Sequence, residues 1–194
     1  MKRLIKRSNQ TVELYHGTGS QFLEGIFAKG LLPNSVTGLL NSGLESSEGT
    51  EAFIPSLNTQ GIYLASEDSA EEYANSAVYV DETMPAFPVI IKVEVDDSKL
   101  LPDMDDLGSN YKFDDKSLLW EQSFEKIHQV VHNGTIDLSQ IVGVRFSNSL
   151  KDIVPDENYE YEDLLEKEVK MRLGQWFSLE EMIRVINEIK NLIK

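Results

Sequence analysis

The spacing of apolar positions changes several times along this chain, and each change predicts an element. Val12-Glu13-Leu14-Tyr15-His16 alternates, so it predicts a strand with Tyr15 and His16 on opposite faces. Phe22, Leu23, Ile26 and Phe27 then recur at helical spacing; Ser20 stands where a cap would, and Gly30 and Pro33 close the helix after Lys29. Gly61-Ile62-Tyr63-Leu64-Ala65 returns to strand composition. A second helix starts from Ser66, with Ala70, Tyr73, Ala74 and Ala77 on one face.

Phe87 to Val95 is the clearest strand, first continuous and then alternating, and the acidic stretch from Asp96 to Asp103 predicts a solvated turn and short loop. Residues 111–127 carry Leu118, Leu119, Trp120 and Phe124 and include a helical turn. Strands follow at Ile127–His132 and Ile141–Phe146, joined through Asn133-Gly134 by a connection longer than a tight hairpin. A helix is predicted from Tyr159 to Leu173, ending at Gly174. The capping box Ser178-Leu179-Glu180-Glu181 opens a last one, with Leu179, Met182, Ile183, Ile186, Ile189 and Ile193 along one stripe.

Strand, helix, strand, helix and then several strands is an α+β order rather than a repeating parallel βαβ pattern. The expected division is a main domain over 1–150 and a C-terminal helical hairpin appended over 151–194. Residues 34–60, rich in Ser, Asn, Gly and Thr, are long for an idle loop and are expected to lie over a site as a lid.

Composition narrows the function classes. With 194 residues, 41% hydrophobic and 26% charged, the chain is that of a globular protein with a real core. No apolar run reaches the roughly 18 to 20 residues of a membrane span, and none follows the basic residues 1–7, so a cytoplasmic protein without membrane contact is expected. There is no cysteine, and the three histidines, His16, His128 and His132, are too few and too badly spaced for a zinc site, so no metal is expected. The net charge of −15 opposes non-specific binding to nucleic acid.

Candidate chemistry gathers at two stretches. In Tyr15-His16-Gly17-Thr18-Gly19-Ser20 a strand delivers a histidine to glycines that bare the backbone, with short hydroxyls beside them. In Gly61–Ala74 a strand leads into a helix such that Tyr63 and Tyr73 are expected to face each other across a pocket. Neither a phosphate loop nor a dinucleotide-binding glycine fingerprint is present.

Tyr15-His16-Gly17-Thr18, Gly61-Ile62-Tyr63-Leu64-Ala65-Ser66 and Ser69-Ala70-Glu71-Glu72-Tyr73-Ala74, in this order, resemble the first two signature regions of ADP-ribosyltransferases of the diphtheria-toxin and poly(ADP-ribose) polymerase type. The resemblance extends loosely over 12–146. It implies a split antiparallel sheet with flanking helices that grips NAD⁺ as co-substrate. It also implies roles: His16 on an adenosine-side ribose hydroxyl, Gly17 on the nicotinamide amide through its backbone, and Tyr63 and Tyr73 sandwiching the nicotinamide. Thr18 and Tyr15 would line the site, and Ser66 or Ser69 would take the place of a serine that Ala70 lacks.

The family sets a glutamate at or near the start of a late strand, and here an ungapped alignment of the next strand puts Ile127 at that position. Glu125 is the first choice to replace it and Gln129 the second; an apolar residue there accompanies mono-ADP-ribosyl transfer or lost activity. The activity implied is mono-ADP-ribosylation of a protein, a nucleotide or a nucleic-acid base, with release of nicotinamide, as in a toxin, a phage-encoded modifier or a defence effector acting inside a cell. Two alternatives stand beside it: an inactive module that binds ADP-ribose or a protein partner through the acidic C-terminal hairpin, and an NAD⁺-dependent RNA 2′-phosphotransferase, for which Arg145 is the late-strand arginine.

Overall fold

A computed structural model of the chain describes residues 10–33, 36, 61–78, 86–104, 106–107, 118–148 and 167–192. All of the predicted lid but Val36, most of the predicted helix 159–173 and residues 1–9 lie outside the described residues. The architecture is α+β: a six-stranded antiparallel sheet in the order β4-β5-β2-β1-β3-β6, with helices on both faces. The strands are β1 (Thr11–Gly19), β2 (Gly61–Ala65), β3 (Pro88–Asp96), β4 (Leu100–Pro102), β5 (Gln129–Asn133) and β6 (Ile141–Phe146). The helices are α1 (Leu23–Lys29), α2 (Glu67–Val78), α3 (Trp120–Ile127) and α4 (Leu179–Leu192). Among the described residues no helix is long and apolar enough to cross a membrane.

Alternation sorts the sheet into two faces. Leu14, Ile62, Leu64, Val89, Ile91, Val93, Val130, Val144 and Phe146 bury themselves on the first, against α1, α3 and α4. On the second, Tyr15, Ala65 and Ile90 meet Ala70 and Ala74 of α2, a small-residue face that lets this helix lie close. The bond between β1 and β3 is the backbone of the sheet: every residue from Thr11 to Gly19 has a partner between Asp96 and Pro88.

Local chemistry accounts for several boundaries and corrects others. Ser66 caps α2, its Oγ accepting the Ser69 N–H at 3.3 Å, and Ser178 and Glu181 form the reciprocal cap of α4 at 2.9 and 3.2 Å. Ser20, in contrast, is not a cap. It opens a 3₁₀ turn, Ser20–Phe22, and its buried Oγ accepts the Phe87 N–H at 2.9 Å, fastening the end of β1 to the start of β3.

The strand expected from Ile127 begins at Gln129 instead. Ile127 ends α3, and His128, held at φ 58, turns the chain sharply into β5. Asn133-Gly134 starts a crossover rather than a hairpin, since β5 lies between β4 and β2 while β6 lies beside β3.

Of the predicted C-terminal hairpin, the described residues 167–192 pack into the core of the sheet. Met182, Ile186 and Ile189 of α4, with Val169 before it, belong to the same core cluster as Leu14 and Val89. Phe177 exchanges two backbone hydrogen bonds of 2.8 Å with Val144, covering the β6 edge of the sheet. Trp176 lies across Gly143, where a Cβ would approach its ring to 3.0 Å.

His132, fully buried on the first face, sets an acid limit on this fold. Its Nδ1 lies 3.2 Å from the Gly134 carbonyl, which can only accept, so Nδ1 carries the proton, and its Nε2 has no hydrogen-bond partner among the described residues. Burial, above all, pushes its pKa below the usual histidine range, with nearby Lys99 acting the same way and the Gly134 bond opposing. His16 is shifted in the same direction by its own burial. The unfolded chain therefore takes up these protons first as pH falls, so both contributions to stability are complete above about pH 6.5 and fade below it. The melting temperature is expected to fall from pH 7 to pH 5, and His132→Asn, which keeps a donor for Gly134, to flatten that fall.

Candidate functional site

The sheet nearly parts between β1 and β2. Their only ladder pair is Tyr15 with Ala65, and continuing that register would bring Gly17 opposite Tyr63 and Gly19 opposite Gly61, where no pairing exists. A side chain takes the place of the next backbone bond. The imidazole Nδ1 of His16 donates to the Tyr63 carbonyl across 3.0 Å, the carbonyl that the Gly17 N–H would reach in a continuous sheet.

This wedge has two chemical results. With Nδ1 committed as donor and the pKa lowered by burial, neutral His16 presents Nε2 as an acceptor for a hydroxyl. The second concerns Gly17. Ser20 N–H bonds to Phe87 on the β3 side, so by alternation the even-numbered residues of β1 turn their polar groups toward β3, and Gly17 turns its N–H and C=O into the opening. The backbone donor and acceptor of a half-buried glycine thus sit side by side at the gap, as recognition of a primary amide requires.

Gly17 is a glycine for a reason other than ligand access. A Cβ there would come within 2.1 Å of the Ala70 carbonyl oxygen and 2.6 Å of the Ala74 nitrogen, both backbone atoms of α2. The missing side chain lets the helix press onto the strand, and the helix in turn delivers Tyr73. Tyr73 is 42% exposed and its hydroxyl accepts a hydrogen bond from Gln129 Nε2, so α2 and the start of β5 meet at this ring. Burial raises the Tyr73 hydroxyl's pKa first, and the carboxylates of Asp106 and Asp103 raise it further.

The other sequence-predicted residues fall as follows. Tyr63 and Gln129 both lie on the α2 face, in register with Val131 and Ala65 respectively. Tyr15 faces away from His16, donates to Glu13 at 2.6 Å and packs on Trp176 at 6.1 Å. Thr18 is buried on the first face in register with Val89, so it does not line a pocket with the tyrosines. The Ser66 hydroxyl is occupied as the α2 cap and bonds to Ser69 Oγ at 3.1 Å. Glu125 is exposed on α3, while Gln129 bonds to Tyr73.

Two features escaped the sequence reading. Arg145, 3% exposed, binds Glu67 at 2.7 Å and Glu71 at 2.6 Å, while Glu71 also accepts from Ser147 and from the Asn148 backbone at 2.9 Å. This network ties the first turns of α2 to β6. Its signal was a lone arginine inside the apolar run Val144–Phe146. The second is Asp103, expected in a solvated loop yet only 2% exposed. Its signal was the apolar pair Leu100-Leu101, which makes a short strand of the stretch leading to it.

Among the described residues no group of histidine, aspartate or glutamate side chains is arranged to hold a metal ion. Compared with protein-family models, curated proteins and solved structures, the chain matches none.

Proposed function

We propose that the opening between β1 and β2 binds NAD⁺ and that the protein transfers ADP-ribose from it to an acceptor, releasing nicotinamide. The observation that carries this reading is the His16 wedge: one side chain parts the sheet, leaves the Gly17 amide edge open for a carboxamide, and offers Nε2 to a ribose hydroxyl. Tyr63 and Tyr73, on the face of α2, supply aromatic surface for a nicotinamide ring. The chemistry asks for little more than grip and charge. Nicotinamide leaves as a neutral molecule, and the protein must hold the dinucleotide bent while positive charge grows on the ribose.

A second reading draws on Gln129. An amide at the start of β5, where the resemblance implies a glutamate, favours a module that binds NAD⁺ or ADP-ribose without turnover. The 2′-phosphotransferase reading loses support, because Arg145 is buried and engaged by two carboxylates instead of facing a phosphate. The acceptor is a protein side chain, a nucleotide or a base.

Incubation with NAD⁺ tests the proposal through free nicotinamide. The parent protein is expected to release it, and the double variant His16→Ala, Tyr63→Ala to lose at least 100-fold in rate while keeping its circular dichroism spectrum. Binding without release by the parent would favour the second reading, and neither binding nor release would end both.

A further inference from the structure

The Tyr73 side chain starts over β1 and ends on a residue of β5. A Cβ on Gly17 would lie 3.0 Å from the Tyr73 Cβ, so the tyrosine rises directly above the glycine whose amide edge opens to the gap. Its hydroxyl accepts the Nε2–H of Gln129, which stands opposite Ala65 of β2, itself opposite Tyr15 of β1. Two strand spacings, about 10 Å, separate β1 from β5. Tyrosine and glutamine together bridge them, over the inner end of the opening, where Tyr15 and Ala65 still pair.

The two halves of this bridge are held unequally. Gln129 belongs to the framework: its carbonyl accepts the Ser123 hydroxyl of α3 at 2.8 Å and its ladder partner is Ala65. The carbonyl of His128, one residue before it, accepts the Ser66 N–H at 2.9 Å, which ties the start of β5 to the start of α2. Tyr73, by contrast, is 42% exposed, so its neighbours cover only part of the ring. An aromatic side chain so placed samples more than one rotamer unless something holds its far end, and here the Gln129 amide does.

Resting on the NAD⁺ reading above, we propose that Gln129 is a positioning residue whose amide holds the Tyr73 ring across the inner end of the opening, ready to stack on a nicotinamide whose carboxamide lies on the Gly17 edge. It acts through Tyr73 and not on the ribose. Fixing the ring beforehand spares the ligand the entropy of ordering it, so the bond raises affinity for the nicotinamide half of the dinucleotide and leaves the ADP-ribose half unaffected.

The experiment titrates two ligands calorimetrically, a carbocyclic NAD⁺ analogue that cannot be cleaved and ADP-ribose, which lacks nicotinamide. The proteins are the parent, Tyr73→Phe, Gln129→Leu and the double variant. Y73F keeps the ring, Q129L keeps the backbone bond to Ser123, and each removes the bond between them. Each single variant is expected to bind the NAD⁺ analogue at least fivefold more weakly than the parent, the worth of one ordinary hydrogen bond, with ADP-ribose affinity within twofold. The double variant is expected to stay within twofold of either single one, because there is only one bond to lose.

A loss smaller than fivefold in Q129L or in Y73F overturns the proposal. So does a comparable loss for ADP-ribose, which would mark a general loosening of the fold, and so does a double variant that loses the product of the single effects. Should Q129L fail to fold, Gln129→Ala takes its place under the same criteria, and failure of both to fold overturns the proposal. A parent that does not bind the NAD⁺ analogue overturns the underlying reading and the proposal with it, an outcome that the parent titration alone reveals.

Discussion

Gly17→Ala is expected to be among the most damaging single substitutions in this protein, although it adds one methyl group. That methyl would lie 2.1 Å from the Ala70 carbonyl oxygen and 2.6 Å from the Ala74 nitrogen, and neither backbone atom can turn aside. The whole of α2 must lift from β1, breaking the contact of Ala70 and Ala74 with Ala65 and Ile90. Overpacking of this kind costs about 3 kcal/mol, which in a chain of this length lowers the melting temperature by roughly 10 °C. Because α2 also carries Tyr73, nicotinamide release should fall at least as steeply as stability, and thermal melts run beside the release assay measure both. Gly25→Ala, inside α1 where the added Cβ meets nothing within 4 Å, is the matched control and should melt about 1–4 °C above the parent.

Arg145→Met is expected to have an effect of similar size through electrostatics. Methionine fills much of the space but leaves Glu67 and Glu71 facing each other without the guanidinium that bonds to both, and it abandons the Phe146 carbonyl, which accepts from Nη1 at 2.9 Å. Removing the buried partner costs about 3 kcal/mol, because Glu71, largely out of water, is left uncompensated, while Glu67 stays half in solvent and loses little. Denaturant unfolding of R145M should show that loss. Adding Glu67→Gln and Glu71→Gln should restore much of it, since neutral amides carry no stranded charge, and the non-additivity is the signature of a network.

The parts of the fold that could be read from the sequence were those fixed by local rules. The strand at 12–16, the helix opened by Ser66 and the cap at Ser178–Glu181 each follow from period and capping chemistry within a few residues. Partnerships that depend on distant chain were not legible. Ser20 looks like a cap until Phe87, far along the chain, claims its hydroxyl. The start of β5 moved from Ile127 to Gln129 because one left-handed residue, His128, separates helix from strand, and left-handed backbone at a histidine leaves no sequence mark.

The candidate site divides in the same way. His16, Gly17, Tyr63 and Tyr73 come from two short stretches and were visible as motifs. Asp103 is drawn out of water by Ser123 of α3, which accepts its N–H, and Arg145 reaches Glu71 only because α2 crosses to β6. The fact that Gly17 spares room for a helix, as well as baring an amide edge, is likewise a three-dimensional fact.

The place of α4 in the core bears on how the chain comes to be folded as it is synthesised. Met182, Ile186 and Ile189 fill the same apolar interior as β1 and β3, and Phe177 covers the outer strand of the sheet. While those residues are still inside the ribosome, the emerging polypeptide has a core without its closing layer and a bare strand edge, the two surfaces on which nascent proteins stick to one another. Completion of the fold therefore waits for α4, and the opening between β1 and β2, built from residues made much earlier, gains its full support only once that helix has emerged.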